Sequence, residues 1–536
     1  MKKIRPLVFL PPFLLLLIAV LMNFVDKDAF TKTMTDANDG VLAVFGKVFA
    51  VAPLLMLATC IILFFSPFGR VIIGGPDAKP LLTRWRWFAI TLCTTIAIGI
   101  LFWSTAEPMT HLGSPPKSLG IEPRSAEAAA FAMDTLLLHW TFTPYAIYTI
   151  TGLMFAFAYY NMKKPFSLGS PLSPLLGKYA EGYTGQIIDA VCLYSLVAGM
   201  AASLGAGMLL LSGGVTHLWG IEGSPFLWGI IVTLIVAAFT ISAITGLMKG
   251  IRLLSMVNIV FLFFLLIFIF VFGPTKHILV EGLNSCVHFV TGFVDKNIWT
   301  VSTDDGWAGQ WTIFYWANWF AWAPISVAFL GRISYGHSVR SFLVVNLISP
   351  AVFTGVWMIV FGNASIHLEL FQGANLIETL NQEKGGGAEG VLYAFLSYFP
   401  LSKFLIPVFL LATFLSFVTA ADSNTSAMGG LSSTGISPGN PEPSRLIKIV
   451  WGVMIGLIAW VMISFAHIDG IRMLSNLGGL PALFLCLGAT ICIIIVAFDP
   501  KKYDTFKTGY DDRGNPLTKI LAENAISVRT SDDEVV

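Results

Sequence analysis

Apolar runs of membrane-helix length recur along the whole of this chain of 536 residues. Hydrophobic residues make up 56% of the sequence and charged residues only 12%, a balance that a soluble domain of this length does not show. A helix needs about 20 apolar residues to cross a bilayer, and the chain offers that length repeatedly. We therefore predict an all-α polytopic membrane protein with no separate soluble domain.

The apolar runs, divided by turn residues and charges, predict twelve transmembrane helices. The segment between the seventh and the eighth, residues 275–305, is moderately apolar and broken by charge, which indicates an interfacial helix and a loop. The apolar part of residues 1–25 is too long for a signal peptide and has no small-residue cleavage site, so it is predicted as the first span. The spans begin near Leu7, Val41, Trp87, Ala128, Ile187, Phe226, Leu253, Ala308, Phe342, Phe404, Leu446 and Leu474.

Lysine and arginine counts predict the orientation. With the N-terminus inside, the short inner segments carry sixteen of these residues and the outer segments nine, so both termini are expected on the cytoplasmic side. The six cysteines are scattered without a CxxC pair and are interpreted as reduced packing residues. Enzyme signatures such as GxSxG and HExxH are missing, which predicts neither catalysis nor a cofactor.

Aromatic residues are concentrated in the eighth predicted span. Trp311, Tyr315, Trp319 and Trp322 follow at helical spacing and would form one face, and Pro324 then removes a helix hydrogen bond. Transporters bind substrate near such helix breaks, and aromatic faces there suit a quaternary ammonium group, which is recognised by cation–π contact. The alternative is an interfacial anchor for the membrane surface.

A second interrupted helix is predicted five spans earlier, where Gly99 precedes Ser104, Thr105 and the pair Glu107-Pro108. Two interrupted helices at this separation suggest an inverted repeat of five helices, with the binding site between the first helices of the two repeats. The predicted division is residues 1–86 for the tail and helices 1–2, 87–273 for the first repeat, 274–307 for the interfacial helix and loop, 308–498 for the second repeat and 499–536 for the cytoplasmic tail.

The fourth span supplies a second aromatic group, with Trp140, Tyr145 and Tyr148 around Pro144. If this span packs beside the eighth, the two groups form a box with walls from both helices. The alternative is aromatic packing against lipid or a neighbouring helix.

Three ionisable residues lie within or beside apolar runs. Asp422, with Thr419 nearby, either helps to coordinate a small cation or caps a broken helix. Glu107 is expected near the outer surface in a structural role, and His139 is expected to hydrogen-bond a neighbouring helix.

The segments WTIFYWANWFAWAP, GRISYGHSVRSF, HWTFTPYAIY, FWSTAEP and TAADS closely resemble the betaine/choline/carnitine transporter (BCCT) family. The resemblance covers residues 1–499. It implies the inverted-repeat fold of sodium-coupled amino-acid symporters with two extra N-terminal helices. It also implies a homotrimer and uptake of trimethylammonium compounds across a bacterial inner membrane.

The resemblance also assigns residues. Tyr145 replaces a tryptophan usual in glycine betaine members, and Asn318 stands where a further tryptophan is common, so the polarity of the cage differs. Gly99 occupies the position of an aspartate found in members that take choline with protons, and its lack of charge favours zwitterions. The substrate-binding set is Trp140, Tyr145, Tyr148, Trp319, Trp322, Gly99 and Asn318.

Coupling remains open at the level of the sequence. The resemblance implies sodium ligands in span five, where this chain has Leu196 and Met200, and a threonine-serine pair in span ten, where it has Thr419 and Ala420. One sodium site is thus expected to be lost and the other impaired. Exchange, proton symport and weakened sodium symport stay as alternatives, with Ala97, Thr419 and Asp422 as the candidate cation site.

We predict a secondary transporter that imports or exchanges a quaternary-ammonium zwitterion such as glycine betaine or carnitine. The alternatives are uptake of choline by proton symport and, in a different class, a membrane sensor that binds such a ligand without transport.

Overall fold

The computed structural model describes residues 3–517 apart from residues 96, 246, 304–305, 383–385 and 437–442. At residues 27, 93–94, 97–98, 242–245, 247–255, 325, 423 and 465 the description covers the backbone only. Within these limits the chain forms helices and no β-sheet, as the composition predicts.

Nineteen α-helices follow one another along the described chain, with π-helical segments at Phe157–Asn161, Gly309–Ile313 and Val344–Ile348. The helices are α1 (Pro6–Val25), α2 (Lys27–Phe65), α3 (Arg84–Thr95), α4 (Ala97–Gly113), α5 (Ala126–Trp140), α6 (Phe142–Ala156), α7 (Ser173–Leu176), α8 (Gly182–Trp219), α9 (Pro225–Thr245), α10 (Leu247–Phe272), α11 (Thr275–Ser302), α12 (Phe314–Ile333), α13 (Val339–Leu343), α14 (Ser349–Gln372), α15 (Leu376–Leu380), α16 (Ala388–Ser397), α17 (Ser402–Leu431), α18 (Arg445–Phe498) and α19 (Pro500–Tyr503).

Seven helices of the described chain are long and apolar enough to cross a membrane, and nine if each strongly bent pair is one span. The prediction of a polytopic membrane protein is therefore confirmed. The count of twelve spans and the division into two repeats stay predictions. His467 has a non-helical backbone (φ 46°, ψ −130°) and divides α18 in two, which matches the two spans predicted to begin near Leu446 and Leu474.

The predicted interfacial segment forms α11, which leaves α10 at an angle of 109°. A helix turned this far cannot continue the span that precedes it. Its exposed side chains include Leu279, Leu283 and Val287, which recur at helical spacing and give it an apolar face. These are the properties of a helix that lies along a membrane surface.

Breaks interrupt the helices that carry the predicted site. The eighth predicted span bends by 51° between Gly309–Pro324 and Ser326–Ile333, which confirms the effect predicted for Pro324. The interruption predicted at Glu107-Pro108 in the third span is wrong, because α4 continues from Ala97 through Pro108 to Gly113. Pro108 is thus accommodated inside a helix.

Small residues set the position of α12, the helix that contains Trp319. It packs against α8, α18 and α6. A Cβ on Gly199 of α8 would lie 2.9 Å from the carbonyl carbon of Ala321, and one on Gly479 of α18 would lie 2.4 Å from the carbonyl oxygen of Ala317. Because these glycines have no side chain, α12 approaches both helices closely.

An ion pair ties the start of the chain to the helix bundle. Arg5 Nη2 lies 2.7 Å from Asp189 Oδ2 on α8, and Arg5 Nη1 donates to the carbonyl of Leu431 at 2.8 Å. Asp189 is fully buried, and its other oxygen accepts from Ser167 Oγ and from the backbone N–H of Leu168. Arg5 therefore neutralises a carboxylate that water does not reach.

We expect Arg5→Gln to lower the thermal unfolding temperature of the purified protein, since a buried carboxylate that loses its cation costs about 3 kcal/mol. The double variant Arg5→Gln/Asp189→Asn should recover part of the loss because it removes the unpaired charge. Lys3→Gln is the matched control, since Lys3 engages Thr434 through its backbone. Equal unfolding temperatures for Arg5→Gln and Lys3→Gln would contradict the assignment.

Candidate functional site

The break between α5 and α6 directs three aromatic rings into the helix bundle. Pro144 has no N–H to donate to the carbonyl of residue 140, and the backbone at Thr141 is not helical (φ −114°, ψ −126°). Trp140 ends α5, and Tyr145 and Tyr148 follow about one turn apart on α6. All three rings are buried.

Trp319 of α12 lies among these rings. Its ring centroid is 5.8 Å from that of Trp140, 5.1 Å from that of Tyr145 and 5.0 Å from that of Tyr148. We call these four residues the aromatic box. A cation is attracted within about 6 Å of a ring centroid, so four rings at this spacing can surround one quaternary ammonium group when they part.

The aromatic box is closed in this structure. Inclined rings whose centroids are about 5 Å apart are in direct contact, so they leave no space for a trimethylammonium group. The indole N–H of Trp319 has no hydrogen-bond partner among the described residues. Because no such bond fixes this ring, the box opens most simply by movement of Trp319.

Trp140 is held on two sides. Its Nε1 donates to Glu107 Oε2 at 2.8 Å, and its six-membered ring lies against Gly99. A Cβ at Gly99 would be only 2.2 Å from Cη2 of Trp140. Gly99 therefore leaves space for the Trp140 ring. This is a second effect of the glycine, beside the lack of a charge from which we predicted a zwitterionic substrate.

Tyr145 connects the box to α14. Its hydroxyl is 3.1 Å from Thr354 Oγ1, a contact in which either group can donate. A tryptophan at this position, which the sequence resemblance implies for glycine betaine members, would have no hydroxyl. The hydroxyl of Tyr145 finds its hydrogen-bond partner on the neighbouring helix α14.

Trp322 lies outside the aromatic box. Its Nε1 donates to Ser203 Oγ on α8 at 2.7 Å. It lines a mainly apolar cavity of about 20 Å³, enough for one water molecule, together with Met200 and Ala420. Two of the positions at which the resemblance implies lost sodium ligands therefore meet at the same cavity.

Asn318, which belongs to the predicted substrate set, hydrogen-bonds outside the four rings of the aromatic box, and its substrate role stays a prediction. Its Oδ1 accepts from Ser475 Oγ on α18 at 3.2 Å. Asn318 directly precedes Trp319, and successive residues on a helix point about 100° apart, so the two side chains face different neighbours.

The candidate cation site is only partly described. Thr419 and Asp422 are buried about one turn apart on α17, and the Thr419 hydroxyl donates to the carbonyl of Leu415 at 2.8 Å. The alternative that Asp422 caps a broken helix is wrong, because α17 runs uninterrupted from Ser402 to Leu431. Ala97 begins α4, and its side chain lies outside the described residues.

Glu107, for which the sequence predicts a structural role, connects the aromatic box to two neighbouring helices. It is fully buried, and its Oε2 accepts hydrogen bonds from Trp140 Nε1 and from the hydroxyl of Tyr315, the latter at 2.6 Å. Its Oε1 is 2.6 Å from Nδ1 of His139, whose predicted role as a partner of a neighbouring helix is confirmed. The available signal was an acidic residue within an apolar run, which marks a functional candidate.

An all-helical chain with many membrane-length helices and aromatic rings collected at helix breaks has the architecture of a secondary transporter. The family model described as "BCCT, betaine/carnitine/choline family transporter" matches residues 7–501. The chain belongs to this family. The protein is therefore a membrane-embedded secondary transporter and not an enzyme, as we predicted from the sequence.

Two relatives and one solved structure illustrate the similarity. A probable glycine betaine transporter of Desulfitobacterium hafniense is 31% identical over 78% of this chain and 84% of its own length. The high-affinity choline transport protein of Escherichia coli K12 is 30% identical over 90% of this chain and 70% of its own length. A Na+-coupled sialic acid symporter aligns at 14% identity with a TM-score of 0.48, over 84% of this chain and 85% of that one.

Proposed function

We propose that the protein imports or exchanges a quaternary-ammonium zwitterion such as glycine betaine or carnitine by alternating access. The proposal rests chiefly on one observation, the contact of Trp319 with Trp140, Tyr145 and Tyr148. These rings offer π faces to a cation that cannot donate hydrogen bonds. The names of the Desulfitobacterium and E. coli relatives support a trimethylammonium substrate.

Gly99 supports a zwitterion over choline. The position carries no charge, and the space beside it is filled by the Trp140 ring, so no countercharge stands there for a substrate without its own carboxylate. Choline remains the second candidate because of the E. coli relative.

The surroundings of the protein are also part of the proposal. The lysine and arginine counts support cytoplasmic termini, and family membership supports a bacterial inner membrane. The homotrimer is proposed only because the sequence resemblance implies it. The cavity lined by Met200 and Ala420 supports the loss of one sodium site, since neither side chain offers oxygen to a hard cation.

Counterflow in proteoliposomes tests the substrate. Vesicles loaded with unlabelled compound are diluted into labelled glycine betaine, carnitine or choline, each exchanged against itself. We expect transient accumulation of a zwitterion and at most weak accumulation of choline. Accumulation of choline alone would overturn the preference for zwitterions. No accumulation of any of the three would overturn the proposed substrate class.

A further inference from the structure

A second buried cluster, formed by Glu107, His111 and His139, lies directly behind the aromatic box. All three side chains are fully buried, and one nitrogen or oxygen from each lies within 4.8 Å of the others. Glu107 and His111 are one turn apart on α4, and His139 is on α5. Titratable groups enclosed in a membrane protein are costly to keep and are candidates for a function.

Hydrogen bonding limits where a proton can reside in this cluster. Glu107 Oε2 accepts from both Trp140 Nε1 and the Tyr315 hydroxyl, and an indole N–H can only donate. A proton on Oε2 would therefore either break the bond from Trp140 or force the Tyr315 hydroxyl to reverse from donor to acceptor. Oε1 faces His139 Nδ1 at 2.6 Å and His111 Nε2 at 3.6 Å. An exchangeable proton therefore lies between Oε1 and the two imidazoles.

The hydrogen-bond partners of the two imidazoles allow one of the rings to take up a proton. His139 Nε2 is 2.9 Å from Thr312 Oγ1, and a hydroxyl can donate to a neutral ring or accept from a charged one. Neither ring nitrogen of His111 has a hydrogen-bond partner within the described chain. With both rings neutral the cluster carries the single negative charge of Glu107. One added proton brings its net charge to zero, which is favoured away from water.

Few other charges face the cluster. They are Lys296 on α11, Asp134 on α5 and Arg472 on α18, and the Tyr315 hydroxyl is the remaining titratable group. Lys296 is directed to Thr135, with Nζ 2.5 Å from its Oγ1. Across the described residues no lysine or arginine forms an ion pair with Glu107. At contact distance its charge is therefore balanced only when one of the two histidines takes up a proton.

The cluster also joins the parts that must move when the box opens. Glu107 belongs to α4, Trp140 is a wall of the aromatic box, and Tyr315 is on the same helix as Trp319. When α12 moves with Trp319, it carries Tyr315 with it and removes a hydrogen-bond donor from Glu107. The charge of Glu107 then becomes more costly, which favours proton uptake. Linkage is reciprocal, so a proton on the cluster changes the affinity of the box for its substrate.

We propose that Glu107, His111 and His139 form a proton-binding site that couples substrate movement to H+. The inference rests on the transport function proposed above. A metal ion is the less suitable occupant, because Glu107 Oε2 already accepts two hydrogen bonds and both nitrogens of His139 are within hydrogen-bond distance of partners.

The test uses full-length protein in proteoliposomes, with voltage clamped by potassium and valinomycin and with the labelled compound that gives the strongest counterflow. A pH one unit lower outside should raise steady-state accumulation about tenfold if one proton accompanies each substrate. In the Glu107→Gln variant the side-chain amide oxygen can still accept hydrogen bonds from Trp140 and Tyr315, but the side chain no longer carries a charge. We expect it to retain counterflow and to lose the response to the pH gradient.

Glu127→Gln is the matched control, since Glu127 is exposed in the first turn of α5. It should respond to the gradient as the wild type does. A wild-type protein that shows counterflow without any response to pH would overturn the proton site and leave the transport function intact. Accumulation that requires a divalent metal and stops with a chelator would overturn it in favour of a metal.

A second pair of variants covers the case in which Glu107→Gln also loses counterflow because Trp140 is displaced. His111→Gln and His139→Gln leave the hydrogen bonds of Glu107 to Trp140 and Tyr315 in place. Loss of the pH response in either variant, with counterflow retained, supports the site. A wild-type pH response in both overturns it.

Discussion

Replacing Trp319 by alanine should raise the substrate concentration for half-maximal uptake well over tenfold. Trp319 is the one ring that contacts each of the other three residues of the aromatic box. A cation–π contact in a desolvated site contributes about 2 kcal/mol or more, and about 1.4 kcal/mol corresponds to a factor of ten in affinity. Initial rates of labelled uptake over a range of concentrations measure the effect.

Two further variants sharpen this experiment. Trp319→Phe keeps a π face and should lie between wild type and Trp319→Ala, because the indole is the strongest of the aromatic partners. Trp451→Ala removes an equally large buried indole from α18, where it packs against Phe9 and donates to Ser432. It should lower the amount of folded protein without changing the concentration for half-maximal uptake. An unchanged value in Trp319→Ala would mean that the box does not bind the substrate.

The sequence contains most of the information that places the aromatic box. Pro144 and Pro324 disturb their helices wherever those helices pack, because the missing N–H is a property of the residue itself. The aromatic residues close to those prolines therefore lie at helix breaks, and the family resemblance indicated that the two breaks are neighbours. The same local logic failed for Pro108, which α4 accommodates without interruption.

Other features depend on the environment of a side chain, which local sequence does not specify. Glu107 precedes a proline and looks like the end of a span, yet three residues from two other helical segments converge on its carboxylate. Asn318 is adjacent to Trp319 in sequence but faces α18. Asp422 resembles a cap until the helix is seen to continue past it. For Glu107 and Asn318 the deciding contact is with a residue distant along the chain, whereas for Asp422 it is the continuation of its own helix.

The second large effect is expected from Gly99→Ala. The new methyl group would lie 2.2 Å from Cη2 and 2.4 Å from Cζ3 of Trp140, far inside normal contact, so the indole must move. That ring is not free to move, since Glu107 binds its N–H and Tyr315 packs edge-on at a centroid distance of 5.3 Å. Overpacking of this kind costs about 1–3 kcal/mol, which corresponds to a loss of about five- to 150-fold in uptake at low substrate concentration.

Gly46→Ala provides the matched control, because a Cβ there meets only Ile313 Cδ1 at an ordinary 3.5 Å. It should transport as the wild type does. Gly99→Asp adds a carboxylate to the same clash and is expected to impair zwitterion uptake more than choline uptake, since only choline lacks a negative charge of its own. The contradicting result is a Gly99→Ala variant with the same rate and half-maximal concentration of uptake as the wild type. Substrate binding would then not require Trp140 at the position that it occupies in this structure.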